Sequence, residues 1–149
     1  MVCFIFVANT QKIMNTLFEI STKYATELLV LAFIVITFLQ SGIDKITDWQ
    51  GNVSYIKSVF EKTFLSKMST FLLVIVTIGE MIAGILAMVG IIKIYTSEST
   101  FFGLLAAIVA SKILLALLFG QRVAKDYAGA MTIAVYFGVT LFGVYILSH

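Results

Sequence analysis

The chain has 149 residues, 60% of them hydrophobic and 12% charged, with a mean hydropathy of +1.06 and a formal net charge of +2. A soluble domain carries about 25% charged residues, so a water-soluble globular core is excluded and an integral membrane protein is the expected class; the scattered charges form no basic stripe of the kind that binds nucleic acid. A single cysteine, Cys3, and a single histidine, His149, exclude an intramolecular disulfide, a CxxC centre and a haem held between two histidines, and leave no metal-ligand set beyond scattered carboxylates.

The chain opens with "MVCFIFVANTQKIMN". Its apolar run, Val2 to Ala8, is too short to cross a bilayer and lacks the basic start and cleavage pattern of a signal peptide. Residues 1–23 are therefore expected to form a tail lying in the membrane interface. Residues 24–149 hold four apolar runs, at roughly 25–43, 68–92, 101–119 and 127–147. Each is close to the ~20 residues that cross a ~30 Å hydrocarbon core as helix. Helices satisfy their own backbone groups in lipid, so the expected fold is all-α: one integral membrane four-helix bundle with both termini on one side. Proline is absent, and no span is expected to kink.

The first loop, 44–67, is the longest. Its apolar residues Val53, Ile56, Phe60 and Phe64 fall at helical spacing, with Lys57, Ser58, Glu61 and Lys62 between them. That pattern predicts an amphipathic helix, lying on the membrane surface or docking a partner. Parity puts this loop on the same face as the third, 120–126. Together they carry Lys45, Lys57, Lys62, Lys67, Arg122 and Lys125, against Lys12, Lys23 and Lys93 on the other face. The positive-inside rule then orients loops one and three to the cytoplasm.

Small residues recur every fourth position in three spans: Gly79, Ala83 and Ala87; Gly103, Ala107 and Ser111; Ala130, Ala134 and Gly138. Such ladders let helix backbones approach closely, within the bundle or between two copies of a homodimer. Glu80 stands amid the second span. It shares a helix face with Ala83, Gly84 and Ala87 by i+3, i+4 and i+7 spacing, so its carboxylate is expected to point into the bundle, where it needs a partner or a proton. Lys112 is one candidate. It lies eleven residues after the start of its span, and Glu80 lies twelve before the end of its own. On antiparallel neighbours both sit roughly 17 Å from their shared loop. The competing reading has Lys112 snorkel toward the third loop. Intramembrane carboxylates are functional-site candidates; a purely structural hydrogen bond is the alternative.

A third constellation joins "QSGIDKITDW" (40–49), with Gln40, Asp44, Lys45 and Asp48, to "GQRVAKDY" (120–127), with Gln121, Arg122, Lys125 and Asp126. These are ordinary helix ends and interface anchors beside Trp49 and Tyr127, or the mouth of a site for a quinone head group or small anion.

The segments "SGIDKITD" (41–48), with Gly42 and Lys45, and "GEMIAGILAMVG" (79–90), with Glu80, Gly84 and Gly90, resemble the DoxX family of small bacterial four-helix membrane proteins. The likeness covers residues 24–147; Ala83 stands where many members have glycine. The resemblance implies a multi-pass protein of the bacterial cytoplasmic membrane. It also implies association with membrane oxidoreductase assemblies, some of them quinone-reducing, with Glu80 and Lys45 as the matching positions. The expected function is an accessory subunit that packs against other membrane subunits and has no independent chemistry. The alternative is a quinone-binding subunit whose polar site draws on Glu80, Lys45, Lys112 and Arg122. A small transporter ranks behind both, since no broken helix or inverted repeat marks one.

Overall fold

The computed structural model describes the backbone of residues 2–149 and the side chains of residues 9–149. The side chains of the run Val2 to Ala8, expected at the interface, lie outside the described residues. The elements in order are α1 (Val2–Lys23), α2 (Ala25–Ile34), a π-helical turn (Val35–Leu39), α3 (Gln40–Thr47), α4 (Trp49–Phe60), a 3-10 turn (Ser66–Met68), α5 (Ser69–Ser97), α6 (Phe101–Val123) and α7 (Tyr127–Leu147). No strand occurs among the described residues, and the fold is all-α. Four stretches are long and apolar enough to cross a membrane: Ala25–Thr47, Ser66–Ser97, Phe101–Val123 and Tyr127–Leu147. They run past the apolar runs read from sequence because polar residues such as Thr96 and Gln121 continue the helices.

The packing inverts that of a soluble bundle. The interior is built of small residues: Ala83 and Ala87 of α5 and Ala106, Ala107 and Ala110 of α6 are fully buried, with Leu31, Ile34 and Ile94 filling between them. Large residues face outward, as in the α5 stripe Ile78, Ile82, Ile85, Met88 and Ile92. Water gives no reason to expose that stripe, whereas lipid tails do, and helices in lipid associate through close van der Waals contact.

Two glycines show how close that contact is. A Cβ on Gly90 of α5 would stand 2.8 Å from the Gly103 backbone nitrogen of α6, and one on Gly84 would stand 3.1 Å from the Leu39 nitrogen. The first two ladders thus face inward, with Gly79, Ala83 and Ala87 and Gly103, Ala107 and Ser111 all buried. The third does not. Ala130 is buried, but Ala134 and Gly138 are on the outside, with nothing near Gly138. The inward face of α7 is instead Ala130, Thr140, Gly143 and Leu147.

The first span departs from the unbroken helix that the lack of proline implied. Its π turn lies where Gly84 meets the Leu39 backbone. Within it the Thr37 hydroxyl donates to the Phe33 carbonyl at 2.7 Å. A hydroxyl that occupies a helix carbonyl offers the backbone an alternative to the regular ladder.

The first loop does form a helix, α4. Val53, Ile56 and Val59 are half-buried, Phe60 is buried, and Lys57 and Ser58 point away. Helix α4 packs against the start of α5, and Phe60 reaches Gly120 of α6. It ends at Phe60, one turn short of the spacing pattern. Phe64 therefore lies beyond it and is exposed, and Leu65 is buried in its place. At the opposite end α1 is tied to α5: Ser21 and Tyr95 share a hydroxyl hydrogen bond of 2.8 Å, and Lys23 pairs with Glu98.

Candidate functional site

Helix α3 presents Ser41 and Lys45 four residues apart, hence on one face. Gly42, between them, lets α5 come close: a Cβ there would strike the Met81 side chain. That approach sets Glu80 opposite the pair. Lys45 Nζ donates to both carboxylate oxygens of Glu80, at 3.0 Å to Oε1 and 2.9 Å to Oε2. Ser41 Oγ accepts from Lys45 at 2.6 Å and donates to Glu80 Oε1 at 3.1 Å. The Glu80 side chain is 4% exposed and that of Lys45 17%. A buried charge pair needs its remaining hydrogen-bonding capacity satisfied to offset desolvation; here serine closes the triangle. Among the described residues no buried side-chain polar atom lacks a partner.

Lys112 is not the partner of Glu80. Gly79 lies against Ile113, so Glu80 and Lys112 do share a level in the bundle. Helix α6, however, turns Ala106, Ala107, Ala110 and Ser111 to the core and Lys112 to the outside. Lys112 makes no hydrogen bond or ion pair among the described residues.

The polar mouth expected between 40–49 and 120–127 is largely taken up by helix ends. Asp48 caps α4 by accepting from the Gly51 amide at 3.1 Å, and Asp126 caps α7 by accepting from the Gly129 amide at 2.9 Å, as N-cap carboxylates do. Exposed Arg122 lies over the Tyr127 ring, its guanidinium carbon 4.9 Å from the centroid. Of the four candidate residues, the structure brings Glu80 and Lys45 together and leaves Lys112 and Arg122 outside that contact.

Sequence reasoning missed two features. Ser41, within "SGIDKITD", is one; its place four residues before Lys45 is the available signal. The other is an open-edged cavity of about 230 Å³ lined by α3, α4, α5 and α6. Its floor is apolar, with Phe60, Leu65 and Leu73 buried; Tyr55 and Phe119 stand exposed at its edge; Lys45 and Gln121 also line it. Assembled only by tertiary packing, it has no periodic signature.

At the far end of the bundle, the left-handed Glu98 residue (φ 50°) ends α5 and sets its carboxylate beside Lys23 and the Tyr24 hydroxyl. The Lys23 hydrogen bond holds the Glu98 carboxyl below its ordinary value, and the same bond raises Lys23 above its own. Among the described residues no three His, Cys, Asp or Glu side chains gather as a metal site would require. No protein-family model, curated protein or solved structure matches this chain.

Proposed function

We propose that this chain is a four-span protein of the bacterial cytoplasmic membrane, of the DoxX family, serving as an accessory subunit packed against a larger membrane complex. In this reading loops one and three face the cytoplasm, and α4 lies along that surface with Lys57 toward water. The observation that carries the proposal is the closed Ser41–Lys45–Glu80 triangle. Both carboxylate oxygens and the ammonium protons are engaged within the chain. The acid at the centre of the bundle then acts as a clasp between α3 and α5, and the outer faces are left for assembly.

A second reading, a quinone-binding subunit, is favoured by one specific feature: Lys45 lines the cavity between α4, α5 and α6. An apolar ring there would have one cationic side chain at its wall, whose ammonium would exchange a bond to Ser41 or Glu80 for one to the ring.

One preparation tests both. The tagged chain is extracted from native membranes in a gentle detergent, and its proteins and its quinones are quantified. The accessory reading expects a partner at fixed stoichiometry, whose assembly fails when this chain is deleted and whose activity survives Glu80→Gln. The quinone reading expects one quinone per chain, lost in Glu80→Gln. A chain recovered alone and free of quinone contradicts both.

A further inference from the structure

The strongest unexplained feature of the molecule is Lys112. It is the midpoint of α6, eleven residues from Phe101 and eleven from Val123, or roughly 16 Å from either end. It also stands eight residues, about 12 Å, from Gly120, where Phe60 of α4 meets α6. The four-carbon stem of a lysine covers only a fraction of either distance. The side chain points away from the core and has no partner among the described residues. Charged residues inside a membrane pair with one another or face a polar interior. This one faces neither.

From this we infer that the outward face of α6 around Lys112 docks a membrane helix of a different protein, and that this helix carries a carboxylate at mid-depth. The inference rests on the accessory-subunit reading and names the partner's chemistry. The surrounding surface suits a helix. Ala116, one turn on, allows close approach. Leu115 and Phe119, 48% and 58% exposed, flank the line of contact. Ala116 and Phe119 also border the cavity, so a helix laid on this face covers its edge.

A second copy of this chain does not meet the requirement. Glu80 and Glu98 are already paired, and Asp48 and Asp126 cap helices. Glu19, Glu27 and Glu61 lie at or beyond the ends of spans. Asp44 remains: it is exposed, and Gly42 against Met81 puts it near the level of Glu80. But Asp44 lies on α3, which packs against α5, the π turn and α4, whereas Lys112 lies on the outward face of α6. A two-fold contact through this face brings Lys112 toward Lys112, and pairing unlike faces head to tail requires a ring or an open chain of copies, which cross-linking to a second copy through Asp44 would reveal.

The test places a photo-cross-linking amino acid at Leu115 in the full chain, in native membranes, with a second at Val135 on the outside of α7 as reference. The expected product at Leu115 is a different protein, cross-linked within a span that contains Asp or Glu. Its yield falls about tenfold in Lys112→Glu, the weight of one interhelical polar pair. It recovers when the partner's acid is changed to Lys. Lys112→Met keeps the bundle's melting behaviour and serves as the folding control. Cross-linking at Leu115 only to lipid, or only to a second copy through Asp44, overturns the inference, as does a yield indifferent to Lys112→Glu. A partner captured from Val135 alone overturns it while leaving the accessory reading intact; no partner from either position removes both.

Discussion

Removing the lysine from the buried triangle is the sharpest perturbation of the interior. Lys45→Met keeps the aliphatic stem and takes away the charge. Glu80 then loses the two charge-assisted bonds at 2.9 and 3.0 Å and retains only Ser41 at 3.1 Å. Breaking a buried pair by removing one partner costs about 3–5 kcal/mol. Because Lys45 is itself 17% exposed, solvent reaches this edge, and we place the loss at the lower end, ~3 kcal/mol. For a domain of this size each kcal/mol moves the unfolding midpoint by about 2–4 °C, so Lys45→Met is expected to melt roughly 6–12 °C below the parent chain. The double variant Lys45→Met, Glu80→Met removes both charges, and such replacements of buried pairs are neutral or stabilising. It should therefore melt near the parent, so that the coupling between the sites equals the sum of the two single losses, at least about 3 kcal/mol. Thermal unfolding of the four proteins in detergent, followed by circular dichroism, reads the cycle directly. A Lys45→Met chain that melts with the parent, or a double variant that loses the sum of the singles, would refute the reasoning.

Two further outcomes follow from the packing. Gly90→Ala drives a methyl against the Gly103 backbone, which cannot rotate away, and should cost about 1–3 kcal/mol; Gly138→Ala meets nothing and should gain up to about 1 kcal/mol from helix propensity, both read as melting shifts. The surface pair Lys23–Glu98 holds α1 to the end of α5 over a defined pH window. Glu98 is depressed below 4.5 in the folded chain, so its contribution is complete above 4.5 and is lost as pH falls through the lower folded value. Lys23 is raised above 10.5, so its contribution is complete below 10.5 and is lost as pH rises through the higher folded value. Amide protection in 16–24, exchange rates taken relative to the intrinsic rate at each pH, should therefore be greatest between those limits, and Glu98→Gln should flatten the profile.

How legible each feature was depended on whether one helix sufficed to show it. The spans were visible because apolar runs of the right length have few alternative explanations. The inward turn of Glu80 was visible because Ala83, Gly84 and Ala87 mark its face. Its partner was not: equal depth made Lys112 the candidate, Lys45 had no sequence signal as the partner, and the outcome turned on how α6 is rotated about its axis. There, small and large apolar residues surround Lys112, and only packing decides which side is buried. Helix α7, uncharged from Tyr127 to Leu147, posed the same problem. Its Ala130–Ala134–Gly138 ladder matched a packing motif, yet the fourth helix is seated by Thr140 and Gly143, with Ser111 donating to Thr140 at 3.0 Å. The end of α4 was misplaced for a different reason: apolar spacing continued to Phe64 after the backbone had left the helix at Phe60.

The central claim is that the buried acid is closed on Lys45 while Lys112 faces outward. A nitrogen–carbon dipolar recoupling measurement between lysine Nζ and glutamate Cδ in lipid bilayers tests it most directly, on a Glu98→Gln background that silences the surface pair. The account predicts one strong short-range coupling, abolished by Lys45→Met and unchanged by Lys112→Met. A coupling that disappears with Lys112→Met, or none at all, would contradict it.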